Sequence, residues 1–248
     1  DLVRSRGLGD VYKRQALSAV MGIPIEIVNI RAKRDNPGLR LQHIGAIKAV
    51  ASLCNANVDN LRVGSDRITF TPGKMRSAFI KLDVGSAGSI TLLLQAVIPS
   101  VSLSKVDAEL EILGGTDVRW SPTMNYLTKV VLPAYRLLGI DAELEVKRRG
   151  YYPSGGGIVR ARIKSIKELK SLNLISSERP LPSIVSVCSK LPRSVAERQL
   201  KSAKDYLSNH GIDLKDFEVN VEDSVSPGSS ILIYSVSEQG PFIGGDAI

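Results

Sequence analysis

Arg31-Ala-Lys-Arg-Asp-Asn-Pro-Gly-Leu-Arg-Leu-Gln-His43 joins two segments of different period. Before it, Pro24 to Ile30 alternates as a strand. After it, Leu41 to Cys54 reads as a helix with Ile44, Ile47, Val50 and Ala51 on its core face. Asn36-Pro37-Gly38 marks a turn between them. The run holds four cations, Arg31, Lys33, Arg34 and Arg40, and one of the two histidines of the chain. A loop from strand to helix is a place where proteins hold polyanions.

The pattern continues outward. Val58 to Val63 and Arg67 to Thr71 read as a hairpin around Gly64-Ser65-Asp66. Lys81 to Val84 is then a strand, and Gly85-Ser-Ala-Gly-Ser89 opens a helix through Ile98. Ser102 to Leu113 reads as a strand ending at Gly114-Gly115. A helix from Met124 to Leu138 carries Tyr126, Val130, Ala134 and Leu138 on one face. Pro133 is expected to kink it, and Gly139 to stop it. Ala142 to Arg149 and Ile158 to Ile163 pair as strands. The order of elements in the first stretch thus recurs in the second. Residues 165–182 look like a junction. Beyond them, 183–236 reads as a small α/β module with strands Ile184–Cys188, Glu218–Val221 and Ser230–Val236. Its helix, Val195 to Asn209, is expected to start on a capping box of Ser194 and Glu197.

Of the 248 residues, 43% are apolar and 23% charged, as in a globular protein with a sizeable core. No apolar run reaches the roughly 18–20 residues of a spanning helix. The candidate Ile90–Ile98 is broken by Thr91 and Gln95. No membrane partner and no signal peptide are expected. Cys54 and Cys188 are too few for a disulfide framework or a zinc site, and reduced core thiols in a cytoplasmic protein are the expectation. Residues 1–15 lack a sustained helix or strand period and look foreign to the rest. They hold four cations and two anions, so the chain's net charge of +8 becomes +6 for the remainder. That balance favours anionic partners without selecting one.

Guanidinium groups grip phosphate oxygens in pairs, and the Pro37-Gly38 turn can bring Arg40 back toward Arg31 and Arg34. A solvated basic loop is the alternative. Gln42 and His43 open a helix, where backbone N–H groups attract anions; a structural histidine is the alternative. His210 lies at a helix end and reads as capping chemistry. Gly85–Ser89 can cradle a phosphate but lacks the Gly-Lys-Ser/Thr of a Walker loop. Gln95 is a polar group in an apolar helix and needs partners. Arg148-Arg-Gly-Tyr-Tyr-Pro-Ser-Gly-Gly-Gly157 mixes cations with aromatics, which suits an RNA strand as well as it suits a structural hairpin.

The Arg31–His43 run, Gly114-Gly-Thr-Asp117 and Arg148–Gly157 together resemble the RNA 3'-terminal phosphate cyclase family. The likeness covers most of residues 16–174 and continues more weakly to the end. It implies an α/β (α+β) fold of repeated βαβαββ-like units, each a four-stranded sheet with two helices. A smaller inserted α/β domain is also implied. On this basis 1–15 is a tail, 16–174 two partial units of the large domain, and 183–248 the truncated insert. The ending Phe242–Ile248 resembles a stretch that breaks off in mid-motif, so a fragment at both ends is expected.

The resemblance implies ATP and a divalent cation (Mg or Mn) as cofactors, and RNA with a 3'-phosphate end as partner. The oligomeric state stays open. It makes Arg31, Arg34, Arg40, Gln42, His43, Arg148 and Arg149 candidates for phosphate or RNA contact. Gln95 and Pro122 become candidates for ATP contact, with Trp120 a further wall of the adenine pocket. Cyclases convert an RNA 3'-phosphate to a 2',3'-cyclic phosphodiester through a histidine adenylate and an RNA adenylate. Neither His43 nor His210 matches the family nucleophile, which is expected beyond residue 248, so no catalytic residue is assigned and the chain by itself is expected to be inactive. Two rivals remain. One is the family's non-catalytic RNA-binding paralogue of ribosome assembly, which departs from Gln-His after the Pro-Gly-Leu-Arg segment. The other is an enolpyruvyl-transferase-like enzyme, which the Arg148–Gly157 run opposes.

Overall fold

The computed structural model describes residues 3–5, 10–85, 87–174, 180–238 and 240–248. Its strands form three four-stranded sheets. The first unit runs β1 (Val3–Ser5), α1 (Asp10–Met21), β2 (Ile25–Ile27), α2 (Leu41–Cys54), β3 (Asn57–Asp59) and β4 (Ile68–Thr71). Its sheet order is β1-β2-β4-β3, with β1 parallel to β2 and the other pairs antiparallel.

The second unit repeats this plan. It runs β5 (Ala78–Asp83), α3 (Ile90–Leu103), β6 (Ala108–Gly114), a second helical segment, β7 (Ala142–Arg148) and β8 (Gly157–Ile163). Its order is β5-β6-β8-β7, again with the first pair parallel and the rest antiparallel. Both units are therefore βαβαββ. The second helical segment is α4 (Met124–Tyr126), a π-turn (Leu127–Val131) and α5 (Leu132–Leu137). Pro133 has no N–H to donate, and the widened turn lies directly before it.

Helix α3 is apolar almost all round, with Ile90, Leu93, Leu94, Val97, Ile98 and Val101 buried. It packs on α1 and α2, and α2 also meets β5. One continuous core thus joins both units, from Ile27, Phe70 and Leu53 to Leu110, Ile112 and Val159. The opposite face of the second sheet carries charge in register. Lys81, Glu111, Arg160 and Glu145 stand side by side across its four strands. Lys81 Nζ lies 3.0 Å from Glu111 and Arg160 3.6 Å from it. Such exposed pairs each contribute at most about 1 kcal/mol.

The third unit is β9 (Ser183–Ser189), α6 (Arg193–Asn209), β10 (Asp216–Val221), β11 (Gly228–Val236) and β12 (Phe242–Ala247), in the order β10-β9-β11-β12. Its core is separate: Ile184, Leu200 and Leu207, flanked by Ala203, Val219, Ile231 and Ile233. We propose the large domain over 16–174 and the smaller one over 183–248 on the strength of these two cores.

Several expectations are corrected. Helix α1 begins at Asp10, so regular structure enters the segment read as aperiodic, and Val3–Ser5 pairs with Ile25–Ile27. Helix α3 runs past Pro99 to Leu103, and β6 starts only at Ala108. The first hairpin strand is Asn57–Asp59, with a longer loop before Ile68. Helix α6 starts at Arg193 after Pro192, so Ser194 lies inside it. Glu197 pairs with Arg193 at 3.0 Å instead of closing a capping box. Strand β12 was not expected. Ser86 in the glycine loop and residues 175–179 of the junction lie outside the described residues.

Candidate functional site

Equivalent ends of the first two sheets carry the loops of interest. In the first unit, residues 28–40 leave β2 and residues 60–67 join β3 to β4. The two loops are stitched by backbone bonds from Ile30 N to Asp66 O (2.9 Å), Leu39 N to Ser65 O (2.9 Å) and Gly64 N to Leu39 O (2.9 Å). Gly38 is required here. It has φ +78°, and a methyl group on it would sit 2.2 Å from the Gly64 carbonyl oxygen.

The arginines divide by role. Arg31 Nη1 donates to the carbonyls of Asn36 (2.6 Å) and Gly38 (3.2 Å), so this guanidinium shapes its own loop. Lys33 and Arg34 project into solvent, and Arg40 is half-buried. Gln42 is half-buried in the first turn of α2.

His43 is 3% exposed, and its Nδ1 accepts the Arg40 N–H at 2.8 Å. The ring thereby does what Glu or Gln does at the third position of a helix. Burial foremost, and then the Arg31 charge, lower its pKa to about 4. Between the ordinary value of 6.5 and about 4, the unfolded chain binds the proton that the folded chain refuses. Stability from this site is therefore complete above pH 6.5 and is lost as the pH falls toward 4. A drop on the order of 3 kcal/mol is expected across that window, and His43→Gln should flatten it in a pH series of urea melts.

Gly45, one turn beyond Gln42, packs against Val84; a methyl group there would lie 3.0 Å from Val84 Cγ1. This packing sets the start of α2 beside the Gly85–Ser89 loop of the second unit. The loop spends polar groups on itself. Gly88 N donates to Gly85 O (2.9 Å), Gly85 N to Asp83 Oδ1 (2.8 Å), and Ser89 Oγ accepts from Leu92 N (3.2 Å). Thr91 Oγ1 donates to the Pro122 carbonyl at 2.8 Å. Gln95 lies one helical turn beyond Thr91 on the same face. It is half-buried, and among the described residues its amide has no hydrogen-bond partner. Pro99 also brings no N–H to the Gln95 carbonyl. The two nucleotide candidates are thus linked only through Thr91: Pro122 bonds to its hydroxyl, and Gln95 lies one turn beyond it with its amide uncommitted among the described residues. Trp120 is 97% exposed, and its ring lines a shallow open groove with Arg119 and Ser121.

The Arg148–Gly157 run is the largest correction. Arg149 is 3% exposed. Its Nε and Nη2 donate to Glu222 (2.8 and 3.0 Å), Nη1 to Asp117 Oδ2 (3.1 Å), and Nη2 also to Asn125 Oδ1 (2.9 Å). Burial alone would lower its pKa, but Asp117 and Glu222 more than offset that and hold it raised. Arg149 therefore leaves the set of phosphate ligands and fastens the third unit to the second. Its backbone N–H adds a bond to Asp223 O at 2.8 Å. Tyr151 is buried too, its ring against Gly228, and burial pushes its hydroxyl up to about 12. Only Tyr152 of the pair is exposed. Arg148 is half-buried with Nε on Gly156 O at 2.7 Å. The sequence had no signal for Glu222 or Asn125 in this cluster.

Comparison with known proteins gives the family. A model of the family described as RNA 3'-terminal phosphate cyclase matches residues 6–237. The chain is 44% identical over 234 residues to the RNA 3'-terminal phosphate cyclase of Pyrococcus furiosus, covering 94% of this chain and 68% of that protein. It is 42% identical over 239 residues to that of Methanopyrus kandleri, again 94% and 68%. The protein of the same name from Thermococcus kodakarensis is 43% identical over 234 residues, with 94% and 67% covered.

The chain belongs to the RNA 3'-terminal phosphate cyclase family.

Two contacts tie the Arg31–His43 loop, the Gly85–Ser89 loop and Pro122 together: Gly45 of α2 packs on Val84 just before the Gly85–Ser89 loop, and Thr91 just after that loop bonds to Pro122. Among the described residues no three His, Cys, Asp or Glu side chains converge as a metal cage. No helix among the described residues is long and apolar enough to cross a membrane. The paralogue and transferase alternatives are not favoured by relatives that carry the cyclase name at this identity.

Proposed function

We propose that the protein is an ATP-dependent RNA 3'-phosphate cyclase and that these residues supply its substrate-holding edge. The observation that carries this reading is the stitched Arg31–Arg40 loop, followed by a helix whose Gly45 packs on Val84 before the Gly85–Ser89 loop, in a chain of the cyclase family. Arg34, Lys33 and Arg40 offset charge on the RNA terminal phosphate, with Arg148 at the neighbouring sheet end. The Gln95 amide and the Pro122 ring hold and orient the nucleotide. ATP, when bound, activates the 3'-phosphate, so that the adjacent 2'-hydroxyl can close the ring as AMP departs.

Neither histidine acts as the nucleophile. His43 is buried, with Nδ1 taken by the Arg40 N–H. His210 ends α6, with Nδ1 2.8 Å from the Tyr206 carbonyl and its ring on the Tyr206 ring. Incubated with labelled ATP and Mg²⁺, this chain should bind nucleotide reversibly and stay unlabelled after denaturation. Acid-labile AMP attached to His43 or His210 would overturn that assignment. Loss of nucleotide binding in Gln95→Ala, with the fold kept, is the matching positive result.

A further inference from the structure

Trp120 is the one tryptophan of the chain, and it is presented almost wholly to water. Its backbone is in the left-handed region, φ +68°, which a bulky residue rarely adopts. Flexibility does not account for this, because the loop is fastened on both sides. Thr116 and Asp117 are buried before it, with Asp117 held by Arg149, and Val118 is buried as well. Ser121 Oγ donates to Val118 O at 2.8 Å. Thr123 N donates to Asp246 Oδ2 at 2.6 Å, and Pro122 O accepts from Thr91. The backbone that presents the ring to solvent is thus anchored on both sides and strained, beside the exposed Arg119. A groove of about 390 Å³ runs along it, lined by Arg119, Ser121, Asp246 and Ala247. Strain and an exposed apolar ring both cost stability, and such features persist where a ligand uses them.

We propose that Trp120 is a stacking platform for an unpaired RNA base near the bound 3' end, with Arg119 on the adjoining phosphate. The inference rests on the reading that the protein binds RNA. An indole face stacks on any base, and a ring on an anchored backbone has only two side-chain torsions left to order on binding. The platform would hold the strand by its bases without selecting sequence, while the Arg31–Arg40 loop takes the terminal phosphate. Adenine of ATP is the competing occupant, but Trp120 stands open to water whereas Pro122 is tied to Thr91, one turn from Gln95.

The sole tryptophan makes the test direct. RNA binding is followed by anisotropy of a labelled 3'-phosphorylated oligoribonucleotide, and stacking by Trp120 fluorescence. Saturating RNA should quench the indole, and an oligonucleotide with abasic sites near its 3' end should bind more weakly and quench little. Trp120→Ala should weaken RNA binding about tenfold or more, and Trp120→Phe should recover much of it. If anisotropy reports binding while the fluorescence stays unchanged, the platform is wrong and the RNA reading stands. Quenching by ATP alone and not by RNA would assign the ring to the nucleotide and overturn the proposal. No RNA binding by anisotropy would remove the RNA reading and the platform with it.

Discussion

Arg149→Ala should lower the unfolding free energy by about 3–5 kcal/mol, the usual cost of removing one partner from a buried ion pair. Asp117 is wholly buried, and nothing would neutralise it once the guanidinium is gone. Glu222 is 29% exposed at its side chain and can recover some hydration, so most of the destabilisation belongs to Asp117. For a chain of this size the shift in melting temperature is roughly 6–20 °C. Arg149→Lys should recover only part, because one ammonium cannot span Asp117, Asn125 and Glu222 together. The combined replacement Arg149→Met, Asp117→Asn, Glu222→Gln should be milder than Arg149→Ala, since no charge is stranded. Limited proteolysis of Arg149→Ala should find the 222–228 loop newly accessible, because that loop rests on this cluster. A destabilisation below about 1 kcal/mol would mean that water already enters the site.

Arg34→Ala should weaken binding of a 3'-phosphorylated RNA roughly tenfold to a hundredfold, the range for a hydrogen bond to a charged group. Arg34 is exposed on the stitched loop, so the melting temperature should not move. The slope of log affinity against log salt should become shallower by about 0.7, the change expected when one fewer phosphate of a single strand is neutralised. Arg31→Ala should behave differently, lowering both affinity and stability. Its guanidinium holds the carbonyls of Asn36 and Gly38, so the loop loses its shape with it. Measured together by anisotropy and thermal melts, the two variants separate a ligand from a shaping residue. Unchanged affinity in Arg34→Ala would remove the loop from the phosphate site.

Repetition made the fold legible. Strand, turn and helix signals recur at matched spacing in the first two units, and both adopt the same strand order. Boundaries failed where a local signal met tertiary packing. The helix is expected to end at Ile98, yet the buried helix continues through Pro99 to Leu103. Ser194 and Glu197 have the spacing of a cap, yet the helix starts at Arg193, two residues before the expected Val195. Strand β12 holds Gly244 and Gly245, which weaken any strand reading, and it forms because β11 offers an edge.

At the site, residue types were legible and their allocation was not. Two adjacent arginines, Arg148 and Arg149, look alike in sequence. Burial gives one to the fold, and that burial depends on Asp117 and Glu222, 32 and 73 residues away. His43 was legible as a special group at a helix start. That its Nδ1 is taken by the Arg40 N–H follows only from the turn geometry. Gln95 was legible because an amide inside an apolar helix needs a partner, and here none of the described residues provides one.

The most direct test compares two labelled oligoribonucleotides that differ only at the 3' end, one with phosphate and one with hydroxyl. Both are titrated with the chain at several salt concentrations. The phosphate-ended RNA should bind about tenfold more tightly or better, and its affinity should fall more steeply as salt rises. Equal affinity for the two ends, or no binding to either, would contradict a 3'-phosphate site on this edge.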